Sequence, residues 1–488
     1  MRDSSGDSDG NRMMHAVGFY IFLIKKDMKR ISNFTDAICK LNRAVFAAAL
    51  ASLSFTCVAD VRVGVFKADV SPPIGSPLAY NRCQAIGMPL SARGIVLTGA
   101  GDPIVLCAVD WIGISNEGHD FWRQSLADAA GTSKSRVTVH TLHQHDAPRC
   151  DFSVERLMKP LGLDGLMFDP EFARRAVARV SQAVVQARRD AMAVSHFGLG
   201  QAMVDRIASN RRILGPNGKV RATRFTACRD PALRAEPVGQ IDPFLKSISF
   251  WNGDSLLAVL TYYATHPQSY YLTGKAHPDF PGMARQLREA TLNGIPHIHF
   301  NGAGGDIGAG KYNDGAPENR QALATRLAEA MSSALKATIK YPMSTDGLGW
   351  ETLPVVLPVA PHLDESRLLA RMADAEEDPM DLTYVAKDLT WLRRCQNGEG
   401  IDLHCLRLGE ARVLFMPGEL TIPYQLAAQS MRPETFVAMA AYGDYSPGYI
   451  CAKSQYGQGG YEDSPRASKV APEVEDVLLP AMRKLLAR

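Results

Sequence analysis

Five short segments of this chain carry side chains that could do chemistry. In Thr141-Leu142-His143-Gln144-His145-Asp146-Ala147-Pro148, two histidines stand two apart after an apolar run. In an extended chain such residues share a face, and neutral imidazole is a common zinc ligand. Surface or merely hydrogen-bonded histidines are the competing reading. His266 ends a second apolar run and is followed by Pro267, which holds its side chain at a strand terminus. In the next loop Asp279 precedes Pro281-Gly282 and reads as a helix cap, and His277 reads as a loop residue. The third segment, Asn301-Gly302-Ala303-Gly304-Gly305-Asp306-Ile307-Gly308, is a glycine-rich turn after a strand. Such a turn lets backbone N–H groups approach a ligand closely, or is simply tight structure. It is neither a P-loop, which needs Gly-Lys-Ser/Thr, nor a dinucleotide fingerprint, which needs a framing βαβ unit. Glu419 follows Pro417-Gly418 after a buried strand. Tyr449, Tyr456 and Tyr461-Glu462 lie in a glycine-rich tail and by themselves read as packing or loop residues.

Strands and helices must bring these segments together, and the sequence alternates between the two. Residues 93–98 and 103–110 read as strands around a glycine turn, 118–130 as an amphipathic helix and 136–142 as a strand. Residues 171–190 are strongly helical. Residues 245–251 and 256–264 form a hairpin closed by Asn252-Gly253-Asp254, followed by a helix after Pro281, a strand at 297–300 and a helix at 316–338. The last third reads strand (349–359), helices (364–377, 381–396), two strands (401–416), helix (419–431), strand (435–441) and a terminal helix (471–487). No internal repeat is visible. The expected fold class is α/β, a single large domain (60–488) with mixed β-sheets flanked by helices.

The chain has 488 residues, 46% hydrophobic and 22% charged, a globular composition. Six Lys and Arg between Lys25 and Arg43 precede the apolar run Ala44–Ala59. A basic region, a short apolar segment and a small residue make a secretory signal, and the run is short for a membrane span. Residues 1–59 are therefore expected to be an N-terminal extension and signal peptide, with Met28 an alternative start and the mature chain exported, periplasmic or secreted, without an integral membrane segment. Residues 1–59 hold eight of the 54 Lys/Arg and five of the 51 Asp/Glu, so 46 of each sign remain. A chain near neutrality has no electrostatic footprint for nucleic acid. Seven cysteines follow the leader, without zinc-finger spacing. A dense disulfide framework is not expected, although a Cys395–Cys405 bridge would suit an oxidising compartment.

Taken in order, these segments resemble the catalytic domain of the neutral, non-lysosomal ceramidases. Val63 to Gly75 resembles that family's opening strand and Asp-Ile-Thr-Pro-Pro turn. His143-Gln144-His145-Asp146-Ala147-Pro148 is similar to its Thr-His-Thr-His-Ser-Gly-Pro, and Thr265-His266-Pro267 to its Val-His-Pro-Thr. Phe300 to Asp306 resembles its Gly-Asp turn, Pro417-Gly418-Glu419 is identical to its Pro-Gly-Glu, and Tyr449, Tyr456 and Tyr461 keep its tyrosine spacing. The resemblance runs from about residue 62 to 465. It implies that His143, His266, Glu419 and Tyr449 hold Zn2+, that His145 sits beside the metal, that Arg211 faces the active site and that Tyr461 is a supporting phenol. Gly305, Asp306 and Gly308 would form a substrate-facing turn.

Two departures shape the functional expectation. The family carries Gly-Asp-Val-Ser-Pro-Asn at the glycine turn, where the serine has a nucleophilic role; here the run is Gly305-Asp306-Ile307-Gly308. Its immunoglobulin-like C-terminal domain has no counterpart in the 27 residues after Tyr461. The expected function is zinc-dependent hydrolysis of an amide or ester in a small or lipid-like acyl substrate, by attack of zinc-bound water in place of a serine. The alternative is a catalytically inactive, metal-containing periplasmic protein that binds a lipid or glycan. A metal-dependent phosphoesterase ranks third, because few Asp residues flank the ligand set.

Overall fold

The computed structural model describes Met28 and residues 60–487; the signal-peptide expectation for residues 1–59 otherwise lies outside the described residues. Among the latter, three larger sheets organise the chain. The first runs Val137–Thr141, Ile104–Val109, Ser91–Thr98, Arg62–Asp69, Met192–Ala193. The second runs His297–Asn301, Ser255–Tyr263, Phe244–Asn252, His196–Met203, Ile339–Pro342. The third runs Leu348–Val355, Ile401–Leu408, Ala411–Phe415, Val437–Ala440. Pairing is antiparallel except at one edge of each sheet, where 104–109 and 137–141, 255–263 and 297–301, and 411–415 and 437–440 run parallel.

The period-2 alternation of these strands sorts apolar side chains onto two faces. Ile95, Leu97, Leu106 and Ala108 of the first sheet meet Ile248, Phe250, Leu260 and Phe300 of the second and Leu406, Val413 and Phe415 of the third in one central core. The intervening residues face outward onto helices. Val96, Val105 and Cys107 are covered by Trp122 and Leu126 of Asn116–Ala130 and by Ala173, Val177, Val180 and Val184 of Pro170–Arg189. The last four fall at helical spacing on one stripe. Asp169 starts that helix by accepting from the Phe172 N–H, with Pro170 at its first position. Leu323, Leu327 and Met331 of Glu318–Lys336 cover the second sheet, and Val385, Leu389, Leu478 and Met482 from Pro379–Gln396 and Val474–Ala487 cover the third. Residues Ala59–Arg488 form one compact unit, and the α/β class with mixed sheets under flanking helices is the fold observed.

Three local readings change. The expected helix 419–431 begins only at Ile422, because Glu419-Leu420 pairs as a short parallel ladder with Tyr449-Ile450. The helix expected over 364–377 ends at Met372. All seven described cysteines, Cys395 and Cys405 included, are free thiols; most are buried and behave as small apolar side chains.

Candidate metal centre

Each sheet sends one side chain to a common point from just beyond its parallel edge. Beyond Thr141, the Leu142 and His143 N–H groups donate to the carbonyls of Val109 and Trp111. His143 adopts φ 61°, a left-handed conformation uncommon outside glycine and concentrated at functional sites. The extended geometry expected through His145 therefore stops at the strand end. Beyond Tyr263, His266 enters a tight loop, and beyond Phe415 the ladder of Glu419-Leu420 with Tyr449-Ile450 sets Glu419 and Tyr449 side by side.

The hydrogen-bond pattern fixes both imidazoles. His143 Nδ1 is 2.7 Å from the Ile112 carbonyl, and His266 Nδ1 is 2.7 Å from the Gly304 carbonyl and 2.9 Å from that of Ile307. A carbonyl only accepts, so each Nδ1 carries the proton and each Nε2 presents a bare lone pair. Those lone pairs meet Glu419 Oε2, at 3.0 Å from His266 Nε2 and 3.4 Å from His143 Nε2. Glu419 Oε2 is buried with no hydrogen-bond partner, whereas Oε1 accepts from the Tyr445 hydroxyl. Ligand atoms of His143, His266 and Glu419 all lie within 4.8 Å of one another. Two imidazole lone pairs and a carboxylate oxygen to which nothing donates repel one another unless a cation stands among them, so the residues present fit a metal ion.

The electrostatics agree. Burial lowers the His143 pKa to about 4, against the pull of Glu419, and keeps the ring neutral as a ligand must be. The Tyr449 hydroxyl lies 3.1 Å from His266 Nε2 and so borders the same point. His145 Nε2 is 3.2 Å from His143 Nε2, and its Nδ1 is buried without a partner. Arg211 donates from Nε to Glu462 at 2.6 Å and brings Nη1 to 3.5 Å from His266 Nε2, with its guanidinium 5.2 Å from the Tyr449 ring centre. Tyr461 meets Tyr449 edge-on at 5.5 Å. Every residue expected at the metal or beside it thus lies in this one cluster.

The glycine turn has a different part. Its carbonyls hold His266, and the Gly305 N–H donates to the Leu420 carbonyl. A Cβ at Gly305 would come within 2.5 Å of the Glu419 carbonyl oxygen, so only glycine permits the approach. Asp306 is fully buried and accepts from the Ile422 N–H, Asn210 Nδ2 and Gln455 Nε2. Gly305 and Asp306, expected to face substrate, instead brace the loops that carry His266 and Glu419. Gly308 pairs with Ser209 in a two-residue ladder. Asp279 is no ordinary cap: its carboxylate accepts from Ser269 and pairs with Arg320 at 3.1 Å.

Sequence reasoning missed Tyr445, which orients Glu419, and Tyr442, whose ring stacks on His143 at 5.1 Å. The cluster Tyr442-Gly443-Asp444-Tyr445 just after a strand was the available signal. It also missed the role of Glu462, a fully buried carboxylate shared by Arg211 and Arg212.

No family model matches the sequence, and no curated protein matches it. Among solved structures, the neutral ceramidase from Pseudomonas aeruginosa is similar, with a TM-score of 0.63 and 15% identity over 88% of this chain and 73% of that one. A ceramidase complexed with C2 is similar at a TM-score of 0.62 and 15% identity, over 88% of this chain and 74% of that one. At that identity the likeness is one of fold: the chain has a neutral-ceramidase-like α/β fold.

Proposed function

We propose that this chain is a metal-dependent hydrolase of an amide or ester bond, ceramidase-like in its chemistry, with zinc held by His143, His266, Glu419 and Tyr449. The observation that carries the reading is the set of unprotonated acceptors, two Nε2 and one carboxylate oxygen, facing each other in a buried site. Two imidazoles, a carboxylate and a phenol oxygen are borderline donors that suit zinc. When bound, zinc would polarise a substrate carbonyl and bring the pKa of a water molecule to about 7.

The chain's own residues have separable tasks. The carbonyls of Ile112 and Gly304 fix the histidine tautomers, and Tyr445 fixes the Glu419 carboxylate. His145, kept neutral by burial, has a free Nδ1 and can take a proton or donate to a developing oxyanion. Tyr461 lies within reach of the same volume, and Arg211, locked by Glu462, holds positive charge against Tyr449. Position 308 offers no hydroxyl, so catalysis rests on the metal site and not on a serine acyl-enzyme. Within this proposal residues 60–488 are the catalytic domain and residues 1–59 an export leader; no described helix is long and apolar enough to cross a membrane.

Metal content and hydrolysis of an acyl-amide and acyl-ester panel, for wild type, His266→Ala and Glu419→Ala, test the proposal. Near-stoichiometric zinc and turnover in the wild type, both lost in the variants, are expected. Full turnover in a metal-free variant would end it. Gly308 favours a second reading, a metal-containing lipid- or glycan-binding protein; enzyme-like turnover of any panel member removes that one.

A further inference from the structure

A cavity of about 110 Å³ shares Ile112, Tyr445, Tyr449 and Tyr461 with the metal centre. It is well below the roughly 300–1,000 Å³ that takes a drug-sized apolar ligand. Its charged lining is Arg149, Lys387, Arg466 and Lys469 against a single carboxylate, Asp388. Lys469 already pairs with Asp388 at 2.8 Å. Lys387 and Arg149 enter no ion pair among the described residues, and Arg149 Nε is buried without a partner. Asp151, whose carboxylate accepts from Asn116 Nδ2 and from the Ser153 and Val154 N–H groups, offsets part of the Lys387 charge but forms no ion pair with it. Burial, with Arg149 beside it, lowers the Lys387 pKa to about 8 against the opposing pull of Asp151 and Asp388. Lys387 stands 5.5 Å from the ring centre of Tyr445, the tyrosine that orients Glu419. A small cavity with four cations and one carboxylate among tyrosines in its lining has the chemistry to hold an oxyanion.

We infer that this cavity receives an anionic group of the substrate, a carboxylate, phosphate or sulfonate, held by Lys387 and Arg149 while the scissile bond lies at the metal centre. The substrate class is then a short amide or ester with an acidic headgroup, and it rests on the hydrolase reading proposed above.

Calorimetry on chelator-treated protein tests the cavity apart from the metal. The probes are N-acetylglycine and its N-methylamide, which differ in the carboxylate, with N-acetyltaurine and N-acetylethanolamine phosphate as the sulfonate and phosphate arms. At least one acid should bind about tenfold tighter than the neutral amide. That preference should collapse in Lys387→Met and return in Lys387→Arg. Equal or undetectable binding of acids and amide overturns the inference, as does a preference that survives Lys387→Met. Hydrolysis of the same compounds by the zinc-loaded enzyme is read separately. An intact binding preference without turnover would leave the anion site standing and count against the hydrolase.

Discussion

Replacing Glu419 by glutamine should separate the metal from the fold. In the native site Oε2 lies 3.0 Å from one bare Nε2 and 3.4 Å from the other, and nothing donates to it. An amide nitrogen at that position donates to His266 Nε2, while the remaining carbonyl oxygen still accepts from Tyr445. One acceptor–acceptor contact becomes a hydrogen bond, worth about 1 kcal/mol net, and a buried charge disappears, which is neutral or stabilising when the shape is kept. Metal-free Glu419→Gln should therefore match the metal-free wild type or exceed it by about 1–2 kcal/mol. The metal response should invert this order. Zinc at a thousand times its Kd adds about 4 kcal/mol to the wild type and little to a variant that has lost its anionic ligand. Urea and thermal melts with chelator and with zinc give all four values. Equal stabilisation of both proteins by zinc, or a loss of more than about 2 kcal/mol in the metal-free variant, would refute this picture of the site.

Other perturbations probe neighbouring parts. Gly308→Ser should fold within about 0.5 kcal/mol of the wild type, because a Cβ there meets nothing closer than Thr226 at 3.7 Å, whereas Gly305→Ala should weaken zinc retention by displacing the Glu419 backbone; melts and metal analysis read both. Glu462→Gln leaves Arg211 and Arg212 buried without a counter-charge and should cost about 3–5 kcal/mol in urea unfolding. Burial lowers the pKa of His140 and of His299 to about 3. Their folded values lie below the unfolded value of 6.5, so the stability they contribute is complete above that pH and is lost as the pH falls towards 3. Each histidine adds a slope of up to about 1.4 kcal/mol per pH unit. His299→Gln should reduce the acid slope of a urea-midpoint series by one histidine's share; an unchanged slope refutes the assignment.

The strands and helices of the sheets were mostly legible because burial on two faces writes a strong period into the sequence. Leu245–Trp251 and Leu256–Ala264 are apolar enough to read as the hairpin they form. The strand His196–Met203 was not legible. Its Gly198 and Gly200 weaken the pattern, yet a Cβ at Gly200 would lie 2.0 Å from the Ala334 carbonyl oxygen, so a helix packed close to the strand requires the glycine. At the site, His143, His266 and Glu419 could be found because each ends a visible apolar run. Tyr442 and Tyr445 could not, since a tyrosine's partner is set by tertiary approach; nor could the inward aim of Asp306, which depends on Asn210 and Gln455 from distant loops.

Because His143, His266 and Glu419, the group that could hold a metal, emerge from three different sheets, no partly assembled chain could hold an ion by all three. A folding intermediate with one sheet missing would offer an incomplete donor set and bind weakly, which would make metal loading a late event coupled to completion of the tertiary structure. The same geometry works in reverse. An ion seated at His143, His266 and Glu419 ties the edges of all three sheets together, and pulling any one away must break a coordination bond first. With the metal bound, such a protein would resist proteolysis and slow unfolding through its escape rate as much as through its equilibrium stability, and a chelator should shorten its lifetime in protease.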